Sequence, residues 1–144
     1  MNKINLVEKL GQFSERWSPK IIAELNGQHV KLVKFLGPFV WHHHENEDEL
    51  FFVVRGSFRM EYRTPVRNLP RKTKTPSGRR QKSVVQFEDR AVEIGEGELI
   101  VVPRGVEHRP VAGKEVWVML FEPATTVNTG SAGGERTVPK PEWI

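Results

Sequence analysis

Short apolar runs separated by turn residues repeat along most of this chain, and they restrict what it can fold into. Within the runs, β-branched and aromatic residues either stand together or alternate with polar ones, which is typical of strands. The predicted strands are VKLVKF (30–35), LFFVV (50–54), SFRMEY (57–62), SVVQF (83–87), RAVEI (90–94), ELIVVP (98–103) and EVWVMLF (115–121). Many short strands and almost no helix predict an all-β sandwich or barrel.

Three segments depart from this pattern. A short helix is predicted over residues 5–13, where Asn5 can act as the N-cap. Residues 64–82 combine three prolines, a glycine and many cations, and they predict a long, mobile insertion between two strands. Residues 123–142 are rich in Pro, Thr, Gly and Ser and predict an irregular tail, which the Trp-Ile pair that follows could fasten to the body.

The composition excludes several kinds of site. The chain has 144 residues and no cysteine, so disulfides and thiolate metal sites are excluded. No apolar run approaches the roughly 20 residues that span a bilayer. The N-terminal MNKINLVEKLGQF also lacks the apolar centre of a signal peptide. We therefore expect one domain over residues 1–144, located in the cytoplasm, in which imidazole and carboxylate groups hold any metal.

The positive charge of the chain is concentrated in one segment. The formal net charge is +4. Residues 63–82 contain eight lysines and arginines and no acid, so they carry +8 and the rest of the chain carries −4. Attraction to nucleic acid or another anionic partner therefore concerns that segment alone. The segment has no aromatic residue for base stacking, and we favour a hairpin or loop with tolerated charge over a binding arm.

Three consecutive histidines, His42, His43 and His44, precede an acidic stretch and a predicted strand. Side chains alternate between the faces of an extended chain, so His42 and His44 share one face while His43 takes the other. Glu49 opens the next strand, where its carboxylate can sit beside the two inward histidines. Such a group suits a metal ion, although HHHENEDE alone also fits a solvated acidic loop.

A second motif lies far along the chain, in GELIVVPRGVEHRP (97–110). A predicted strand stops at Pro103, an Arg-Gly turn follows, and His108 begins the next strand. A site inside a barrel needs a ligand that arrives from such a distant strand. His29, within NGQH, is assigned to a surface position beside a turn.

Together the two stretches resemble the paired motifs of the cupin superfamily. The first motif is matched by Gly37, His42, His44, Glu49 and Gly56, with one residue fewer than usual between Gly37 and His42. The second is matched by Gly97, Pro103, Gly105 and His108, while Ala112 stands where the family has asparagine. WHHHENEDELFFVVRG and VVPRGVEHRPV are similar to small single-domain bacterial cupins of type 2, which are loosely called mannose-6-phosphate-isomerase-like.

The resemblance covers about residues 30–122 and implies a double-stranded β-helix, a jelly-roll barrel that is usually a homodimer. It implies a metal site formed by His42, His44, Glu49 and His108. Three neutral imidazoles and a carboxylate suit one divalent ion, which could be Fe, Mn, Ni, Zn or Cu. An insertion at about residues 64–88 separates two strands that related cupins join directly, and residues 123–144 form the tail.

Around such a site we expect a mostly apolar pocket. The candidates for its wall are Phe51, Val53, Phe58, Met60 and Val102, which could instead simply fill the barrel. One arginine near the motifs could meet an anionic substrate, although solvated positions are favoured for all three: Arg55, Arg59 and Arg109. Three aromatic residues are expected to face away from the ligands, toward a second sheet or a dimer contact: Trp41, Phe52 and Trp117.

Three functions are consistent with these observations. The first is a metal-dependent enzyme acting on a small molecule, of dioxygenase, isomerase, lyase or hydrolase type. The second is a non-catalytic module that senses a metal or a small metabolite, which is favoured by the lack of an evident acid–base group outside the ligands. The third and weakest is association with nucleic acid through residues 63–82.

Overall fold

The structure is a computed structural model that describes residues 2–66 and 87–144. One short helix and eight strands form in these ranges: α1 (Leu6–Leu10), β1 (Lys20–Leu25), β2 (Gln28–Pro38), β3 (Glu49–Arg55), β4 (Ser57–Pro65), β5 (Phe87–Gly95), β6 (Leu99–Val102), β7 (His108–Pro123) and β8 (Glu142–Trp143). The prediction of an all-β fold is confirmed. Within the same ranges, no helix is long and apolar enough to cross a membrane.

The long strand β7 organises the sheet. One of its edges pairs with β2 from Val111 to Pro123. Its other edge pairs first with β4, over His108–Val111, and then with β3, over Trp117–Phe121. The exposed residues 113–115 mark the place where β7 passes from one neighbour to the next. A single strand thus joins two parts of the sheet, which can then face each other across a core.

The core lies between these strands because their side chains alternate between two environments. In β3 every second residue from Glu49 onward is buried, and β7 shows the same alternation from Val116 onward. The inward residues meet in one apolar cluster, which includes Val33, Phe35, Phe51, Val53, Phe58, Met60, Val102, Val116, Val118 and Leu120. Burying each such side chain stabilises the fold by about 1.5–3 kcal/mol.

A second apolar cluster covers the outer face of β2. Leu10 of α1 and Phe13 pack there against Ile22 and Leu32. The predicted helix is confirmed but shorter than expected: the Asn5 side chain accepts hydrogen bonds from the amides of Val7 and Glu8 and so caps its first turn. This cluster fixes the N-terminal part of the chain to the sheet.

The chain end returns to the body, as the sequence predicts. β8 pairs with β1 in parallel, so that Lys20 lies beside Glu142. Ile144 donates its amide to the carbonyl of Ile21 at 3.1 Å. The prediction of a surface position for His29 was wrong, because the returning tail covers it: its ring lies 5.7 Å from that of Trp143, and its side chain is 13% exposed.

The hairpin of β4 and β5 extends further than the sequence indicates. Its register runs from Ser57 opposite Gly95 to Pro65 opposite Phe87. Arg63, counted above with the basic segment, is held in β4 by ion pairs with Asp89 at 3.1 Å and with Glu107 at 3.0 Å. The predictions for residues 67–86, including the first four residues of the predicted strand 83–87, lie outside the described residues.

Candidate metal centre

The alternation of side chains separates the three histidines as predicted. His42 and His44 are buried, with 3% and 5% of their surfaces exposed. His43 points to the other side, where its Nδ1 lies 3.0 Å from Oγ of Ser131 in the tail. Only two of the three histidines can therefore contribute to a site in the barrel.

Backbone hydrogen bonds bring the distant motif to these histidines. The amide of His42 donates to the carbonyl of His108 at 3.1 Å, and the amide of His108 donates back to His42 at 2.8 Å. The amide of Gly105 donates to the carbonyl of His44 at 2.7 Å. Glu49 begins β3, where it pairs with Val102 of β6. The turn before His108 and the loop before Glu49 are thus held side by side.

The four side chains predicted as ligands converge on one point. His42, His44, Glu49 and His108 are all buried, and each offers one ligand atom within 4.8 Å of the others. Two ligands on opposite sides of one ion lie about 4.2 Å apart when each bond is about 2.1 Å. The group therefore has the size that a single metal ion needs, after a contraction of less than about 1 Å.

Three of the converging atoms lack a hydrogen bond. They are Nε2 of His44, Nε2 of His108 and Oε2 of Glu49, which are buried without a partner among the described residues. Both Nε2 atoms lie 3.4 Å from this Oε2 atom. Leaving buried polar atoms unpaired costs free energy. A cation bound between them would satisfy all three, so the donor set fits a metal.

The backbone fixes which imidazole nitrogen faces this point. Nδ1 of His42 lies 3.0 Å from the carbonyl oxygen of Val40, and Nδ1 of His108 lies 2.9 Å from that of Val106. A carbonyl oxygen can only accept a hydrogen bond, so each Nδ1 carries the proton. The lone pair of each Nε2 is then free for a metal, as is usual for histidine ligands.

The electrostatics of the site favour the protonation states that a metal requires. Burial, followed by the neighbouring His108, lowers the pKa of His42 to about 4. Burial opposes ionisation of Glu49, but the neighbouring His108 and His44 outweigh it and hold the pKa of this carboxyl below its usual range. At neutral pH the His42 imidazole is neutral and Glu49 is ionised, as in metal ligands.

A small cavity of about 30 Å³ adjoins His42 and Glu49. Aromatic rings form much of its wall: Trp17 stacks on Phe35 at 4.5 Å and on Phe39 at 4.8 Å between centroids. The lining residues are Trp17, Pro19, Val33, Phe35, Phe39, His42, Glu49, Phe51, Pro110, Leu120 and Asn128. Backbone groups engage both polar atoms of the Asn128 side chain: Nδ2 donates to the carbonyl of Arg136 and Oδ1 accepts from the amide of Val138, each at 2.8 Å.

The residues predicted as pocket wall divide into two groups. Phe51 lines the cavity. The other four, Val53, Phe58, Met60 and Val102, are buried in the apolar core and are not among the residues that line it. Trp17 and Phe39 were missed because they belong to segments without a strand or helix pattern, where periodicity gives no signal.

The arginines near the motifs point away from the cavity. Arg59 and Arg109 both bind Glu61, with contacts of 2.6 Å and 2.7 Å. Arg55 lies over the ring of Trp117, 4.6 Å from its centroid. Trp41 also faces away from the ligands, and the guanidinium of Arg109 lies 4.9 Å from its ring centroid. None of these arginines is among the described residues that line the cavity.

A buried ion pair beside the ligands was not predicted. Nζ of Lys31 lies 2.8 Å from Oε1 of Glu122, and both residues are 1% exposed. Burial and then the neighbouring Glu49 raise the pKa of Glu122 well above its usual range, against the effect of Lys31. The sequence does indicate that Lys31 is buried, because strand alternation places it on the same face as the apolar Val33 and Phe35.

Comparison with known proteins assigns this chain to a protein family. A sequence model described as Cupin matches residues 9–140. YdbB of Bacillus subtilis (strain 168) is 29% identical over 103 residues, which are 68% of this chain and 91% of YdbB. The crystal structure of a cupin-2 domain protein from Shewanella frigidimarina has a TM-score of 0.64 and 34% identity, and the match covers 83% of this chain and 93% of that one.

A more distant match shows likeness of fold alone. Hydroquinone 1,2-dioxygenase PnpCD, solved with Cd²⁺ and 4-hydroxybenzonitrile, has a TM-score of 0.58 at 17% identity. The match covers 97% of this chain and 74% of that chain. The jelly-roll topology is therefore shared far beyond the range of clear sequence similarity.

Proposed function

The chain belongs to the cupin family and has its double-stranded β-helix fold, and on that premise we propose that it is a metal-dependent enzyme acting on a small molecule inside the barrel. Fold kinship alone does not assign a reaction. The observation that carries the proposal is the convergence of buried ligand atoms that lack other partners.

In this proposal His42, His44, Glu49 and His108 hold one divalent ion. Their donor set of three imidazoles and one carboxylate suits Fe, Mn, Ni, Zn or Cu. When bound, such an ion supplies Lewis acidity or, as iron, a route to dioxygen chemistry. The reaction is therefore of dioxygenase, isomerase, lyase or hydrolase type.

The wall of the cavity indicates the kind of substrate. Trp17, Phe39 and Phe51 present rings to the cavity, so they exclude water and favour an apolar molecule. The volume of about 30 Å³ indicates that a small group enters beside His42 and Glu49. PnpCD, which shares the fold, was solved with the small aromatic 4-hydroxybenzonitrile. We propose a small, mostly apolar substrate that meets the metal through a polar group.

Metal analysis of protein purified without a histidine tag tests this proposal. The wild-type protein is expected to carry or take up one divalent ion per chain. His44→Ala is expected to lose the ion while keeping the circular dichroism spectrum of the wild type. The matched control is His43→Ala, which removes a neighbouring imidazole that points away from the site. Stoichiometric metal in His44→Ala, or none in the wild-type protein, would contradict the proposal.

A non-catalytic sensor of a metal or a small metabolite is the second candidate. It is favoured by the lack of an acid–base group among the described cavity residues other than the ligands, because none of those side chains titrates. Binding of a metabolite without turnover, under air and with each metal supplied in turn, would select this function. Turnover of any bound compound would exclude it.

The predicted partners and location accompany this proposal. We propose a homodimer in the cytoplasm, which sedimentation and cell fractionation would test.

Association of the basic segment, residues 63–82, with nucleic acid is the weakest proposal, since Arg63 is already paired with two acids. Because Pro65 lies opposite Phe87, residues 67–86 can be replaced by a short Asn-Gly turn. Salt-sensitive binding to nucleic acid that this replacement abolishes would support the association.

A further inference from the structure

We propose that Glu122, held by Lys31, is a positioning residue for Glu49, and that this buried pair tunes how tightly the site binds its metal. The inference rests on the proposed metal site. It adds to that site two residues of the barrel wall that do not line the cavity and that would not touch the ion.

The strand register places Glu122 next to Glu49. β3 and β7 are antiparallel, with Leu50 opposite Phe121 and Phe51 opposite Leu120. Continuing this register by one residue sets Glu49 opposite Glu122. Both side chains point into the barrel, since both residues are buried and share faces with the inward residues of their strands. The two carboxyl groups are therefore neighbours in the barrel wall.

Lys31 holds Glu122 from the neighbouring strand. Its Nζ donates to Oε1 of Glu122 at 2.8 Å and to the carbonyl oxygen of Thr126 at 3.2 Å. The two side chains are only 2% and 1% exposed. The position of Glu122 is therefore fixed from outside the metal site, by a strand and by the start of the tail.

The second oxygen of Glu122 has no amide, amine or hydroxyl partner among the described residues. Its neighbour is the carboxyl group of Glu49, whose Oε2 faces His44 and His108 at 3.4 Å. Glu122 thus meets the Glu49 carboxyl from the wall while the histidines meet it from the cavity. Because Lys31 fixes its position, the Glu122 side chain limits rotation of the adjacent Glu49 carboxyl and keeps Oε2 directed at the metal position.

Stability alone is a poor explanation for this pair. Removing two charges from water costs several kcal/mol per ion before their attraction compensates, and apolar replacements of buried ion pairs are often neutral or stabilising. Outer partners of metal ligands, by contrast, commonly change metal affinity by about 10- to 100-fold. The contact with Glu49 gives Lys31 and Glu122 such a role.

Metal affinity, measured by competition with a chelator, tests the inference on the purified full chain. The double variant Lys31→Met/Glu122→Leu replaces the ion pair with apolar side chains and leaves no buried charge unpaired. We expect it to fold and to bind the metal about 10- to 100-fold more weakly. Glu122→Gln is expected to stay within about threefold of the wild-type protein, because glutamine has nearly the same size and shape and its carbonyl can still accept from Lys31.

Lys34→Met is the matched control. Lys34 is a buried lysine of the same strand on the opposite face, where its Nζ donates to the carbonyl of Phe13 at 2.6 Å. We expect this variant to lose stability but to keep the metal affinity of the wild-type protein. Unchanged affinity in the double variant, or an equal loss in Lys34→Met, would overturn the inference. If the wild-type protein bound no metal, the proposed function would fail instead.

Discussion

The backbone orients the histidines of the candidate site before any metal binds. Nδ1 of His42 and of His108 each meet the carbonyl oxygen two residues earlier in the chain. Such a contact depends on the local conformation of the strand rather than on the ion. The free Nε2 atoms are therefore presented in the metal-free protein, which lowers the cost of ordering them on binding.

The low pKa of His42 can be observed directly. Burial and His108 lower it from 6.5 to about 4, so its imidazole stays neutral through the mildly acidic range. In the metal-free protein we expect the ring resonances of His42, followed by NMR, to titrate near pH 4. A midpoint near 6.5 would show that the ring is solvated and that the buried cluster does not form without metal.

The same shift affects stability. As the pH falls from 7 to 5, His42 becomes protonated in the unfolded chain but not in the folded chain. The free energy of unfolding therefore decreases as the pH falls. When the pH is lowered from 7 to 5, we expect the free energy of unfolding of the wild-type protein to fall by about 2 kcal/mol more than that of His42→Gln. Urea unfolding without metal measures this difference. The raised pKa of Glu122 acts in the opposite sense, but it is present in both proteins. Parallel pH profiles would contradict the expectation.

The aromatic wall limits the size of what can enter the cavity. Phe39→Ala is expected to enlarge the cavity and to lower the free energy of unfolding by about 3–5 kcal/mol. A small apolar probe such as benzene should then raise the melting temperature of this variant but not that of the wild-type protein. Phe52→Ala is the matched control, because Phe52 lies on the other face of β3, is only partly buried and does not line the cavity. Equal responses to benzene would show that Phe39 does not bound the site.

At the residue scale, strand alternation predicted more of the site than motif content did. It separates His43 from His42 and His44 and places Glu49 beside them. It could not predict Trp17, whose backbone has a φ of 59° and follows no strand or helix period. Glu122 follows the same alternation as the core residues of β7, but only the pairing of distant strands shows that it meets Glu49.

At the element scale, the C-terminal tail supports the candidate site from outside. The amide of Ser131 donates to the carbonyl of His43 at 3.0 Å. Gly130, at a φ of +45°, lies so close that an added Cβ would overlap the His43 carbonyl and approach Cε1 of His44 to 3.1 Å. The tail can pack here only because residue 130 has no side chain.

Gly130→Ala tests the contact between the tail and the site. The added methyl group is expected to push the tail from His43 and His44, which should lower both the melting temperature and the metal affinity. Gly133→Ala is the control, because Gly133 has a similar φ of +60° and open space around its Cα. It carries the same backbone penalty of about 1–2 kcal/mol without a clash. Equal metal affinities in the two variants would show that the tail does not hold the site.

Sequence patterns predicted the long strands better than the short ones. β1 was missed, since KIIAEL carries charges at positions where a half-buried strand has apolar residues; the structure buries Lys20 by pairing it with Glu15 and Glu142 at 3.2 Å and 2.9 Å. β8 has only two residues and exists through its pairing with β1. Such elements depend on partners far along the chain, which local patterns do not encode.

For the whole molecule, the metal should act as a stabilising ligand. A site that exists only in the folded chain raises the free energy of unfolding by about 2.7 kcal/mol when free metal is about 100 times its Kd. For a chain of this size, that corresponds to a rise in melting temperature of about 5–10 °C. Calorimetry with and without a chelator measures the rise. A similar rise in His44→Ala would show that the ion binds elsewhere.

The architecture as a whole was predictable because it repeats one simple rule. Apolar and polar residues alternate in strand after strand, so the all-β class and the position of the core follow from many weak signals that agree. The cavity was not predictable in the same way. Its wall combines strand residues with Trp17 and Asn128 from irregular segments, and their placement depends on tertiary packing.

The central place of β7 has a consequence for protein synthesis. This strand pairs with β2, β3 and β4 and also supplies His108. As the chain leaves the ribosome, His42, His44 and Glu49 emerge long before β7, with strand edges that have no partner and a ligand set that is incomplete. Such nascent edges are prone to aggregate and are typical clients of chaperones. The proposed metal site can therefore be completed only after translation has passed β7.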